Sequence, residues 1–150
     1  YRSIGLGVRL VKETLSKVGT DVEVTAVMAR YNPFFEKAGM KKILVREPDA
    51  NVKKAIEMLE HLGFKRYLLT SVHANIEKLK GMTQNEINMV KEALIKADNY
   101  KRLVASKKPF VSKKMFVEWL KNADLKSVAK AISNLAVLSQ VKLYLFWKRP

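Results

Sequence analysis

The chain opens Tyr1-Arg2-Ser3-Ile4-Gly5-Leu6-Gly7 and continues through an apolar stripe of Val8, Val11, Leu15 and Val18. It then runs Asp21-Val22-Glu23-Val24-Thr25-Ala26-Val27-Met28-Ala29 and closes this first passage on Asn32-Pro33-Phe34-Phe35-Glu36-Lys37-Ala38-Gly39-Met40. Gly5 and Gly7, two apart, let the backbone turn sharply and let a ligand approach bare main chain. The stripe has spacings of 3, 4 and 3, the period of a helix. The glycine turn therefore belongs at a helix N-terminus, where unbonded amides and the positive end of the helix dipole suit a phosphate or pyrophosphate. Arg2 adds a charge-assisted hydrogen bond to the same anion. Residues 21–29 are rich in β-branched side chains and read as a strand. Val22, Val24, Ala26 and Met28 share one face, while Val27 and Ala29 make the other partly apolar, which predicts a central strand. Asn32 reads as a cap, Pro33 as a first helical residue and Gly39 as a stop.

This order of elements resembles the acyl-CoA-binding half of the GNAT family of N-acetyltransferases. Arg2-Ser3-Ile4-Gly5-Leu6-Gly7 is similar to the family's R-x-x-G-x-G pyrophosphate loop, and Phe35-Glu36-Lys37-Ala38-Gly39-Met40 to its Y-E-K-x-G-F helix end. The longer phrase from Arg30 to Met40 resembles an archaeal subgroup in which a GNAT-like domain is fused to an ABC-type ATPase. The resemblance covers about the first third of the chain. It implies acetyl-CoA as co-substrate, held at Arg2, Ser3, Ile4, Gly5, Leu6 and Gly7, with Met28, Asn32 and Phe35 along the pantetheine arm. It also implies an upstream ATPase domain in the same chain. Two positions depart from the family pattern. Phe35 stands where the family carries a tyrosine that protonates the departing thiolate, and Met28 stands where it carries an asparagine.

Tyr31 is then the nearest phenol to the expected thiolate, and a phenol with a pKa near 10 can give sulfur a proton. The bland alternative is a structural tyrosine. Glu23 on the strand, or Glu36, could take the proton from an acceptor amine, although surface glutamates are far commoner. Phe34 and Phe35 read either as a wall for the pantetheine arm or as core. His61 and His73 are isolated, and the single His73–Glu77 spacing of four is a weak metal signal, so no metal is expected. The P-loop pattern G-x-x-x-x-G-K-[ST] is missing, which removes ATP binding by that route from this stretch.

Composition bounds the rest. There are 150 residues, enough for a domain with a real core, and 48% are hydrophobic. The absence of cysteine excludes disulfides, zinc–thiolate sites and cysteine catalysis, in keeping with a reducing, cytoplasmic setting. Neither a membrane span nor a signal peptide is visible. The strand expected ahead of the glycine loop is missing, so the sequence reads as a fragment or cut domain whose earlier strands lie upstream or are absent altogether. The 29 Lys and Arg outnumber the 14 Asp and Glu, for a formal charge of +15. That excess suits a polyanion such as RNA or DNA, or CoA itself. Its ordinary alternative is a lysine-rich surface.

Residues 41–47 form the next expected strand. A helix follows with Val52, Ile56, Leu59 and Leu62 on one face, stopped by Gly63. Residues 65–80 read as helix, with a short strand at 66–70 as the competing assignment. Thr83-Gln84-Asn85-Glu86 is a capping box that opens a helix with Ile87, Val90, Leu94 and Ala97 inside. Residues 99–109 are basic and irregular. Ser112 caps a helix expected to bury Met115, Phe116, Trp119 and Leu120. Asp124 caps another with Leu125, Val128, Ile132 and Leu135. Lys101, Arg102, Lys107, Lys108, Lys113 and Lys114, with Tyr100 and Phe110 among them, form either a phosphate-contacting patch or a solvated loop. Residues 141–147 alternate as a final strand, expected to return beside 41–47 or 22–29. The predicted architecture is α/β (α+β), a single partial GNAT-like domain. It has a CoA-binding core over 1–47, a large helical insertion over 48–140 and a closing strand over 141–147.

Overall fold

The computed structural model describes residues 5–104 and 112–150, with the side chain of Arg30 left aside. It is a mixed α/β structure that divides into two compact units. One comprises Tyr1–Glu47 with Gln140–Pro150, the other Pro48–Ser139. The sheet unit contains helix α1 (Leu6–Lys17), strand β1 (Val22–Ala26), short helix α2 (Phe34–Lys37), strand β2 (Lys41–Arg46) and the closing strand β3 (Lys142–Trp147).

The three strands take the order β1-β3-β2, and β3 is antiparallel to both neighbours. β1 and β2 therefore run in the same direction with a slot between them, and the end of the chain fills it. The final strand joins both candidate neighbours rather than one. Leu143 and Leu145 of β3 are buried, and Leu15, Ala29 and Met40 complete the small core. Val11 of α1 and Val22, Val24 and Ala26 of β1 pack around them. The α1 stripe thus meets the sheet as its spacing predicts. Beyond β3, Arg149 donates through its backbone amide to Asp21 Oδ1 (2.9 Å) and through its guanidinium to the Gly19 carbonyl (2.7 Å). Those bonds fasten the closing strand to the turn ahead of β1.

Four local expectations in the sheet unit are corrected. Among the described residues β3, not β1, is the central strand. β1 stops at Ala26, because Val27 adopts helical dihedrals and Met28–Arg30 form a 3₁₀ turn. Glu23 and Thr25 are exposed, so β1 has one apolar face rather than two. Asn32 does not cap α2 with its side chain. Pro33 occupies the cap position, and Asn32 contributes its carbonyl to the Phe34 amide at 2.8 Å. In β2, Lys42 opposes Leu145 and Leu44 opposes Tyr144, which makes Ile43 the extra residue of a bulge.

The second unit is helical: α3 (Ala50–His61), α4 (Val72–Lys80), α5 (Gln84–Lys96), α6 (Tyr100–Leu103), α7 (Lys113–Asn122) and α8 (Leu125–Leu138). Between α3 and α4 the chain makes a 3₁₀ turn at Arg66–Leu68, and neither a strand nor a continuous helix spans 65–80. Ser71 supplies the reason. Its hydroxyl accepts from the Ala74 amide (3.3 Å) and starts α4 there. The Thr83–Glu86 capping box is complete, with the Glu86 carboxylate 2.7 Å from the Thr83 amide. Ser112 and Asp124 cap α7 and α8. In α7, Phe116 and Leu120 are buried, but Met115 is 51% exposed, against its expected place inside. Phe116 and Leu120 are four apart and define the buried stripe, and Met115 falls at its margin. The core of this unit is continuous, and its one buried polar side chain among the described residues is Asn75. That side chain donates to the Leu69 carbonyl (2.7 Å) and makes a longer contact with the Ala129 carbonyl (3.4 Å).

Candidate acyl-CoA site and basic surface

Gly5 sits in the left-handed region at φ 67°, which a residue with a Cβ rarely adopts, and α1 begins directly after it. The first helical bond runs from the Arg9 amide to the Gly5 carbonyl (2.9 Å). The amides of Leu6, Gly7 and Val8 precede it and have no intrahelical acceptor. A Cβ built on Gly7 would lie 3.6 Å from the Phe34 ring, so the glycine turn and the start of α2 are in contact. The Phe34 and Phe35 rings lie 4.1 Å apart and tilted by 33°. The structure thus brings together Gly5, Leu6 and Gly7 with the Phe34–Phe35 pair. Arg2, Ser3 and Ile4 lie outside the described residues.

Phe35 lies between the core and the surface. Its ring packs against the small sheet core, and it remains only half-buried beside Phe34. Met28 and Tyr31 are open, at 68% and 81% of full exposure, on the 3₁₀ turn that links β1 to α2. The Tyr31 and Asn32 amides both donate to the Met28 carbonyl (3.0 Å each), which fixes that turn. Glu23 opposes Phe146 in the register, on the face of the sheet away from α1. Glu36 is exposed on α2.

That outer face holds a group the sequence reading passed over. Tyr144 of β3 opposes Thr25 of β1 and Leu44 of β2. A hydrogen bond from Arg46 holds its phenol below the usual tyrosine range. The charges of Arg46 and Lys142 and a bond from Thr25 act in the same direction. The signal was the alternation of residues 141–147, which placed Lys142, Tyr144 and Phe146 on one side. Arg46 and Thr25 reach Tyr144 only through strand pairing.

In the helical unit, Lys101 and Arg102 are exposed on α6, with the Lys101 ammonium 6.0 Å from the Tyr100 ring centre. Lys113 pairs with Asp98 at 2.9 Å, and Lys114 is exposed. Lys107, Lys108 and Phe110 lie outside the described residues. His61 donates from Nδ1 to the Glu57 carbonyl (2.7 Å), a bond within its own helix. Among the described residues, no three His, Cys, Asp or Glu side chains cluster so as to hold a metal ion. Nor is any helix among them long and apolar enough to cross a membrane. Comparison with protein-family models, with curated proteins and with solved structures gives no match.

Proposed function

We propose that the sheet unit binds acetyl-CoA and that the protein acts as an N-acetyltransferase of GNAT type, as the C-terminal part of a larger chain fused to an ABC-type ATPase. The observation that carries this reading is the glycine turn. Gly5 in the left-handed region opens α1, and Gly7 rests against Phe34 at the start of the second motif helix. The place of β3 supports it too, since in that family a final strand joins the sheet beside the strand ahead of the motif helix. Here β3 lies beside β1, which precedes α2.

In this reading the Leu6, Gly7 and Val8 amides and the Arg2 guanidinium hold the pyrophosphate. Among the described residues β1 pairs only with β3, so its other edge offers backbone donors and acceptors to the pantetheine amides. The acceptor amine attacks the thioester carbonyl, the C–S bond breaks, and the amine proton passes to a base. The departing thiolate takes a proton from Tyr31, which gives N-acetylated product and CoA thiol. Glu23 acts as the base only for an acceptor that approaches from the face away from α1. The cytoplasm is the setting this cofactor implies.

Calorimetric titration of acetyl-CoA into the full chain tests the reading, with Arg2→Ala as control. Micromolar binding is expected, weakened about tenfold or more by loss of one charge-assisted bond. Absence of binding to the folded chain would remove the proposal. A second reading has its own support. Phe35 and Met28 stand where the family carries polar groups, and the formal charge is +15, so a non-catalytic module that binds nucleic acid or a protein partner fits these features. Acetyl-CoA binding without turnover on any amine would favour it.

A further inference from the structure

The helical unit contains a cleft of about 360 Å³ between the start of α4, the end of α6, α7 and α8. Its apolar lining comes from Val72, Leu103 and Trp119, and its polar lining from one face of α8: Ser127, Lys130 and Asn134 at spacings of three and four. The volume lies within the range of small-molecule sites, whose walls are mostly apolar with a few placed polar groups.

Three features define what suits it. The first is the indole. Trp119 is half-buried and stacked on Phe116, with centroids 6.0 Å apart and planes 25° from parallel. Phe116 is itself buried in the core, so the Trp119 ring is a fixed platform. The second is hydrogen-bonding capacity beside that platform. Asn134 Nδ2 donates to the Leu103 carbonyl (2.8 Å), which sets the orientation of the amide and leaves its carbonyl oxygen as an acceptor. The third is charge. Lys130 is exposed at the cleft and makes no ion pair among the described residues, and Lys126 lies one turn before it on α8. Among the described residues, α7 and the first half of α8 (residues 112–130) hold five Lys against two Asp and Glu.

We infer that this cleft receives a nucleobase of a single-stranded nucleic acid, with the base on Trp119 and an adjoining phosphate at Lys130. A planar, hydrogen-bonding, partly apolar group joined to an anion fits all three features, and a chain of them suits the excess of Lys over Asp and Glu along α7 and α8. Neither the backbone-following patch expected from the lysine run nor the glycine turn of the sheet unit contains these residues. The inference rests on the nucleic-acid reading and gives it a site.

The test is fluorescence anisotropy with the full chain and end-labelled single strands of about 12 nucleotides, within the usual footprint range. RNA, DNA and a duplex of the same sequence are compared across salt. Expected are binding of single strands in preference to duplex, a steep loss of affinity with salt, and a preference between RNA and DNA that reports any contact with the 2′-hydroxyl. Trp119→Leu should weaken binding about tenfold. Lys130→Gln, at an exposed position that leaves the core untouched, should weaken it several-fold and flatten the log–log salt slope by about one. No binding of any strand at low salt would overturn both this inference and the nucleic-acid reading. Binding that Lys130→Gln leaves unchanged, or equal binding of duplex, would overturn the site alone. Lys130→Gln decides the matter even if Trp119→Leu unfolds.

Discussion

Among the described residues, the helical unit gathers twenty buried apolar residues, Val52 to Ala136, into one cluster, whereas the cluster of the sheet unit holds five: Leu15, Ala29, Met40, Leu143 and Leu145. Exposure runs the other way. Leu6, Leu10, Met28, Tyr31, Ile43, Leu44 and Val45 are all open in the sheet unit, although it is the smaller of the two. A short chain segment has little interior to offer. A three-stranded sheet with one helix against it also leaves its second face to solvent. The buried core and the exposed apolar surface are therefore divided between the units. The helical one holds most of the buried apolar residues described. The sheet one carries the glycine turn, a β1 edge that is unpaired among the described residues, and apolar side chains at the surface.

The sharpest test of this contrast is one truncation in each core. Ile132→Ala, at a fully buried position on α8, should cost about 2–5 kcal/mol, because close neighbours cannot collapse into the hole. Leu15→Ala on α1, in the smaller cluster, should fall at the low end of that range, about 2 kcal/mol. Urea melts read both. Equal losses would show that the two cores are equally well packed and would break the comparison.

A smaller effect is expected at Asn75. Asn75→Ala removes the side-chain donor to the Leu69 carbonyl and should cost about 1–3 kcal/mol, since a buried acceptor loses its partner. A loss no greater than at an exposed asparagine would mean that water replaces the amide. Smaller again is Ser71→Ala. Removing the α4 cap should cost about 1 kcal/mol in the same melts, and Ser71→Asp should recover most of it.

The smallest effects are tied to pH. Bonds from the Thr83 amide and then its hydroxyl hold the Glu86 carboxyl below the ordinary carboxylate range. A depressed acid stabilises the fold fully above its unfolded value, about 4.3, and loses that contribution as pH falls through the folded value. Glu86→Gln should therefore lower the melting temperature slightly near neutrality, where the ionised carboxylate contributes in full, and change little at acid pH, which flattens the acid limb of the melting profile. Tyr144 follows the same sign at the other end of the scale. Its phenol should ionise at lower pH than a free tyrosine in an ultraviolet titration, and Arg46→Gln should move it back up. An unmoved titration would remove Arg46 from the account of the outer face.

Much of the architecture was legible in order. The α1 stripe, the Thr83 capping box, the Ser112 and Asp124 caps and the alternation of the last strand each depend on residues two to four apart, and each element forms where that local pattern puts it. Local bonds and side-chain period act within one turn or one pleat, so they are written in short stretches of sequence. What tertiary structure alone decided is pairing between distant stretches. Nothing near Leu143 says that β3 enters between β1 and β2. Nothing near Tyr144 names Thr25 and Arg46 as its neighbours. Asn75 is an ordinary polar residue of a helix until Leu69 and α8 close over it. Trp119 becomes a platform only because Phe116 holds it and α8 sets Lys130 and Asn134 across the cleft. Such arrangements depend on chain segments from about ten to more than a hundred residues apart coming to rest against one another, where burial rather than local preference selects the partner.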